Sequence, residues 1–242
     1  WGWRIPFLMS GALIVASYYI RQQLHESPLF QKAKAEGKTS QNPLRDSFLN
    51  PVNRRLVLIA LFGATMGQGV VFYTSQFYAY SFMQNALKLD LIDASIVLVV
   101  SMVLATPLFV YFGALSDRIG RKRIIMTGML CAALFTMPLF YGLRAYAGPL
   151  TEIAPAVQKA LAPNLPIMTL LTFCLVLFVT MVYGPIAAYL VELFPTKVRY
   201  TSLSVPYHIG NGIFGGFVPL VATWITVWAN AQPVGTLFKD HA

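Results

Sequence analysis

Two sets of residues in this chain could do chemistry. The first is the charged string Asp117-Arg118-Ile119-Gly120-Arg121-Lys122-Arg123, five charges in seven positions between two apolar runs. Its chemistry is electrostatic. An acid at a helix end is opposed by that helix's own dipole, so Asp117 should face a cation or another helix's N-terminus. Gly120 permits the tight reversal, because glycine takes positive φ at no steric cost. The second set is polar and sits inside apolar runs: Gln68, Tyr73 and Gln76, then Tyr183 beside Pro185, then His208 and Asn211. Amides, phenols and one imidazole can hydrogen-bond a small polar solute or pass on a proton. No nucleophile–base pair and no metal-ligand spacing accompanies them, and the strings GxSxG and HExxH are absent. No metal or organic cofactor is expected. Cys131 and Cys174 fall inside apolar runs and read as small buried hydrophobes, not as a disulfide or a metal site.

The elements that position these residues are built for lipid. Of 242 residues, 57% are hydrophobic and 11% charged, with a mean hydropathy of +0.61. A soluble domain carries about 25% charged residues. The net charge of +9 could suggest nucleic acid, but the charges cluster in short links and form no stripe, so no nucleic-acid partner is expected. Apolar runs cover about 5–20, 56–83, 91–115, 124–143, 167–191 and 201–228. Crossing the hydrocarbon core takes ~20 residues in a helix. Backbone groups cannot stay unpaired in lipid, and the runs lack the alternation of barrel strands. The expected class is therefore all-α, a polytopic transmembrane bundle of about six spans.

Between the runs, the link 21–55 is polar, is broken by Gly37 and Pro43, and suits a juxtamembrane linker with a short amphipathic helix. The link 144–166 is rich in Ala and Pro and fits a short helix over 154–162. The links 21–55, 116–123 and 192–200 hold thirteen of the 18 basic residues. The positive-inside rule makes these cytoplasmic and puts both chain ends outside. With no initiating Met and an opening Trp1-Gly2-Trp3, both ends read as cut from a longer protein.

At ~100° per residue, Thr65, Gln68, Phe72 and Gln76 share one helix face, as do Ser204, His208, Asn211 and Gly215. Amides at bilayer depth are costly against lipid, so they should line a cavity or serve as interhelical glue, and both readings stand. Gly63-xxx-Gly67 and Gly212-xxx-Gly216 mark close helix approach. Pro185 removes a backbone hydrogen bond and reads equally as a hinge or a packing irregularity. His208, with a reference pKa of ~6.5, is either a proton-sensing group or a neutral imidazole bonded in the bundle.

The full string Gly113-Ala114-Leu115-Ser116-Asp117-Arg118-Ile119-Gly120-Arg121-Lys122-Arg123 resembles the G-x-L-x-D-R-x-G-R-[KR]-[KR] signature loop of the major facilitator superfamily. Glu192-Leu193-Phe194-Pro195-Thr196-Lys197-Val198-Arg199 resembles the E-L-F-P-T-x-x-R loop of its metabolite–proton symporters. Trp3-Arg4-Ile5-Pro6-Phe7 and Glu26-Ser27-Pro28-Leu29-Phe30 resemble the sixth helix and its exit in the same group. The resemblance implies a C-terminal half: 1–20 as helix six, 21–55 as the inter-bundle link, 56–228 as helices seven to eleven, and 229–242 leading to a missing last helix.

It also implies a multi-pass protein of the cytoplasmic (inner) membrane, a secondary active transporter of a small organic acid or zwitterionic metabolite. Transport would be coupled to protons by alternating access, with the main proton carboxylate on the missing N-terminal bundle. Gln68, Tyr73, Gln76, Tyr183, His208 and Asn211 would line the substrate cavity, with Pro185 as hinge. Gly113, Asp117, Arg118, Gly120, Arg121, Lys122, Glu192 and Arg199 would form a cytoplasmic gate, Glu192 and Arg199 pairing with the basic end of the loop. Partners would be the metabolite, membrane lipid and the N-terminal bundle. The rivals are a non-transporting receptor or sensor on the same scaffold and a membrane-embedded enzyme.

Overall fold

In the computed structural model the described residues are 2–23, 28–36, 40, 42–154 and 157–230. Helices form where the apolar runs lie. After α1 (Ile5–Gln23), the polar link holds two short helices, α2 (Pro28–Ala35) and α3 (Pro43–Phe48). Next come α4 (Pro51–Asn85), α5 (Leu91–Ile119), α6 (Arg121–Tyr146), α7 (Leu165–Leu193) and α8 (Arg199–Trp228). These five described helices are long and apolar enough to cross a membrane. The expected sixth span, α1, is not among them, because its 19 residues end in the polar Arg21-Gln22-Gln23. None of its described side chains is buried. Glu26-Ser27 of the exit motif and residues 231–242 of the outer segment lie outside the described residues.

Local chemistry sets the helix ends. Asn50, Asp90 and Asn164 accept backbone N–H groups at the starts of α4, α5 and α7, with Pro51 locking the first turn of α4. Gly120, at φ 101°, separates α5 from α6. A Cβ there would meet nothing within 4 Å, so the backbone conformation alone demands glycine.

α7 is apolar all round and forms the centre, packed on one side by α5 and on the other by α6. Val176, Val179, Val182, Ile186 and Leu190 are buried along it. The helix runs unbroken through the buried Pro185. Just before it, a Cβ on Gly184 would come 2.9 Å from the Phe109 carbonyl of α5, so the hinge candidate sits beside a close approach of the two helices.

α4 and α8 cross by glycine, though not at the glycines the sequence pointed to. A Cβ on Gly210 would stand 2.7 Å from the Thr65 backbone, and one on Gly69 would stand 2.6 Å from the Gly210 carbonyl. Gly215 packs just as tightly against Tyr73 and Gly69. By contrast, Gly212 faces open space, and Gly63 has only Ile59 at 3.8 Å. Gly67 approaches the flexible Met129 of α6, and Gly216 only its own helix. The reason is a change of helical phase: π turns at Leu61–Thr65, Thr74–Tyr78 and Gly210–Gly215 each take up an extra residue. Gly210-Asn211-Gly212-Ile213-Phe214-Gly215 has G-x-G-x-x-G spacing. It lies in the middle of a membrane helix, not between strand and helix, and so makes no phosphate loop.

The helix expected over 154–162 is replaced by an antiparallel pair, β1 (Leu150–Ala154) and β2 (Val157–Ala160). Its base is fixed at points a helix could not reach together: the Ala160 N–H donates to the Lys88 carbonyl and the Leu161 N–H to the Pro149 carbonyl. Among the described residues, the all-α expectation holds for every element but this ribbon.

Candidate functional site

The charged string meets a partner from across the bundle. The Arg121 guanidinium, at the first residue of α6, pairs with Asp117 one turn back at 2.8 Å and with Glu192 near the end of α7 at 2.7 Å. Arg121 is the more enclosed member, its side chain 22% exposed against 60% and 59% for the two acids. One cation therefore ties the ends of α5, α6 and α7, and Asp117 faces the cation its helix-end position required. Exposed pairs of this kind are each worth about 1 kcal/mol or less, enough to bias an equilibrium but not to hold a fold.

Arg199 does not join this group. Its Nε donates to the Phe194 carbonyl at 3.1 Å, satisfying a chain oxygen just past the end of α7. Of the other gate candidates, Arg118 and Lys122 are exposed on the same turn and Gly120 makes the reversal, whereas Gly113 lies nearly two helical turns back in α5, against Gly184.

All three basic links meet at this end. Lys197 stands 3.4 Å from Asp46, and Ser202 donates to Ser47 at 2.7 Å. The Ser40 hydroxyl, aided by Lys197, holds the Asp46 carboxyl below the usual carboxylate range. At the opposite end Lys159 pairs with Asp90 at 3.0 Å and lowers its carboxyl in the same way, helped by the Leu91 N–H.

Between the two ends lies the polar set. The Tyr183 hydroxyl donates to Asn211 Oδ1 at 2.8 Å, and Asn211 Nδ2 donates to the Tyr207 carbonyl at 3.0 Å. Tyr183 is ten residues from the end of α7, or ~15 Å at 1.5 Å per residue, which is near the middle of a ~30 Å hydrocarbon core. Gln68 is fully buried at the same level. It is close enough to the Tyr183 hydroxyl to interact with it, yet neither amide atom makes a hydrogen bond of good geometry. A buried amide of this kind needs hydrogen-bond partners, since leaving one unpaired costs roughly 1–3 kcal/mol, and the Tyr183 hydroxyl is the neighbour on hand.

Aromatic rings adjoin the set. The Phe72 and Tyr183 centroids are 5.0 Å apart, and Tyr73 stacks on Phe77 at 4.9 Å.

Two members of the expected cavity are not brought in. Gln76 lies in the π turn Thr74–Tyr78, which rotates it out of the phase of Gln68 and leaves it half-buried while Ser75 is buried. His208 is exposed and packs edge-on against Tyr207, because Pro206 and Gly210 take the buried face of α8. Thr65 is enclosed and spent on packing, donating to the Pro206 carbonyl at 2.9 Å. Sequence reasoning missed Asp46, Ser47 and Ser202. A serine in a polar link carries no periodic signal, and only Pro43 after Asn42 hinted at a helix start there.

The family model described as Major Facilitator Superfamily matches residues 1–158 and 78–238. The chain belongs to the major facilitator superfamily. This is a family of membrane transporters and not of enzymes, and the chain is a multi-pass membrane protein. A Staphylococcus aureus protein named for proline/betaine transport is 30% identical over 227 residues, covering 93% of this chain and 44% of that protein. The Escherichia coli inner membrane metabolite transport protein YhjE is 28% identical, over 93% of this chain and 48% of its own length. The Escherichia coli alpha-ketoglutarate permease is 29% identical, over 92% and 46%. These relatives bear out the resemblance to metabolite–proton symporters drawn from the two loops. The chain spans about half the length of the curated relatives it matches. No solved structure matches it.

Proposed function

We propose that this chain is the C-terminal half of a secondary active transporter that moves a small organic acid or zwitterion across the cytoplasmic membrane by proton symport. The carrying observation is Arg121, shared between Asp117 and Glu192 across the ends of three helices. A charge lock of about 1 kcal/mol per contact suits a bundle that alternates between two arrangements, since it can be made and broken in every cycle. Relatives named for proline/betaine transport and for alpha-ketoglutarate permeation support the solute class. YhjE, named as an inner membrane protein, supports the location.

In this reading the basic end is cytoplasmic, and residues 1–20 and the link 21–55 connect to an N-terminal bundle. The solute binds at mid-depth between the bundles, where Tyr183 and Asn211 supply neutral hydrogen bonds, with Gln68 enclosed behind Tyr183 and Tyr73 in the adjoining aromatic group. Pro185 beside Gly184 is the pivot of α7. None of the membrane-embedded stretches 56–87, 94–116, 124–143, 165–191 and 201–228 carries an Asp or Glu, so the proton-coupling carboxylate belongs to the other bundle.

Uptake of a panel of small acids and zwitterions by vesicles containing the full-length protein tests the reading. It expects accumulation of at least one solute that collapses when the proton gradient is dissipated. Accumulation indifferent to that gradient would remove the symport, and no accumulation of any solute would remove the transport.

A further inference from the structure

The link helix α3 is built into the bundle more firmly than a tether requires. Ser202, in the first turn of α8, donates to the Ser47 hydroxyl at 2.7 Å, and Ser47 donates onward to the Pro43 carbonyl at 2.6 Å. Both serines are fully buried, so this is an enclosed and satisfied relay. Around it, Asp46 accepts from Ser40 at 2.7 Å and meets Lys197 at 3.4 Å, while Asn53 Nδ2 donates to the Asp46 carbonyl at 2.8 Å. Phe48, at the end of α3, packs into the same apolar cluster as Phe194, Leu193 and Leu203. Phe194 is only 1% exposed and lies two residues beyond Glu192, the acid that meets Arg121. Its carbonyl is held in turn by Arg199.

We propose that α3 is a clip that positions the charge lock: by holding the turn 194–198 through Asp46 and Phe48, and the first turn of α8 just after it through Ser47, it presents Glu192 to Arg121. The link between the bundles is then not a passive tether. Its last helix moves with the C-terminal bundle, and any pull on it from the other bundle reaches Glu192 through Phe194. Ser47, Asp46 and Ser202 are positioning residues and touch no solute. The inference rests on the reading of Asp117, Arg121 and Glu192 as a lock.

The test is a double-mutant cycle in the full-length transporter, read as the labelling rate of a reporter cysteine replacing Arg118 at the cytoplasmic rim. Asp46→Asn with Ser202→Ala should raise that rate roughly threefold, the scale of losing a partly exposed pair. Glu192→Gln alone should raise it similarly. With Glu192→Gln already present, the clip substitutions should add almost nothing. A Ser47→Cys, Ser202→Cys pair, oxidised to a disulfide across the 2.7 Å contact, should restore slow labelling in the Asp46→Asn background.

Equal, independent increases in the two backgrounds would overturn the clip, because α3 would then act on fold stability alone. So would unchanged labelling in the clip variant beside a response to Glu192→Gln. Unchanged labelling with Glu192→Gln would instead overturn the lock itself, and with it the basis of the clip.

Discussion

The basic end of the bundle and its middle solve opposite problems with opposite materials. At the basic end, Asp117, Arg121 and Glu192 are charged, and the two acids are more than half exposed. At mid-depth, Gln68, Tyr183 and Asn211 are neutral, and Gln68 is wholly enclosed. Water screens the first set, so each contact is weak and reversible. Hydrocarbon surrounds the second, so each unmet hydrogen bond is expensive and geometry is held tightly by glycine crossings. Under the proposed function, switching falls to the ends and recognition to the middle. Substitutions that separate the two roles can break that assignment.

The largest effect should come from the crossing itself. Gly210→Val places new atoms on the Thr65 backbone, a clash no side chain can relieve, and overpacking of this kind costs about 1–3 kcal/mol or more. We expect loss of folded protein in detergent, while Gly212→Val, facing open space, leaves yield and thermal unfolding unchanged. Equal tolerance at both positions would mean that α4 and α8 do not cross as described.

Next in size is the recognition set. Tyr183→Phe removes the bond to Asn211, worth about 1 kcal/mol, and should weaken equilibrium solute binding about fivefold. Gln68→Leu should weaken binding at least as much and raise thermal stability, since it removes an unpaired buried amide. Lower stability in that variant would show that the amide is packing glue.

The sequence made the helices legible because lipid demands long apolar runs, and both charged loops stood out against that background. Asp117's need for a cation followed from its place at a helix end, and Glu192's pairing followed from the resemblance to the E-L-F-P-T-x-x-R loop. The partner of Arg199 could not, because a guanidinium serves a backbone carbonyl as readily as an acid, and the Phe194 carbonyl leaves no trace in residue types. The π turns were equally silent. A 3.6-residue phase put Gln76 beside Gln68 and Gly212 at a crossing, and each inserted residue undid that register. The ribbon at 150–160 was missed because its anchor, the Lys88 carbonyl, is distant in sequence.

The smallest effect belongs to the opposite end. Lys159 keeps the folded-state carboxyl of Asp90 below its ordinary value of 3.8. A depressed acid contributes stability above that value and loses it as pH falls through the folded-state pKa. Lys159→Ala should therefore lower the unfolding temperature slightly and by a constant amount from pH 5 to 8, with the difference shrinking below pH 4. A difference that grew toward acid pH would contradict the pairing.

The central claim is that the ends switch while the middle recognises. Glu192→Gln in the full-length protein tests it most directly, with equilibrium solute affinity measured beside initial uptake rate and the accessibility of a cysteine replacing Phe72. The account predicts uptake slowed several-fold, altered accessibility and affinity unchanged within about twofold, since an exposed pair at the rim is worth ~1 kcal/mol and lies ~15 Å from Tyr183. A large loss of affinity with unchanged accessibility would place Glu192 in the binding site and contradict the division of labour.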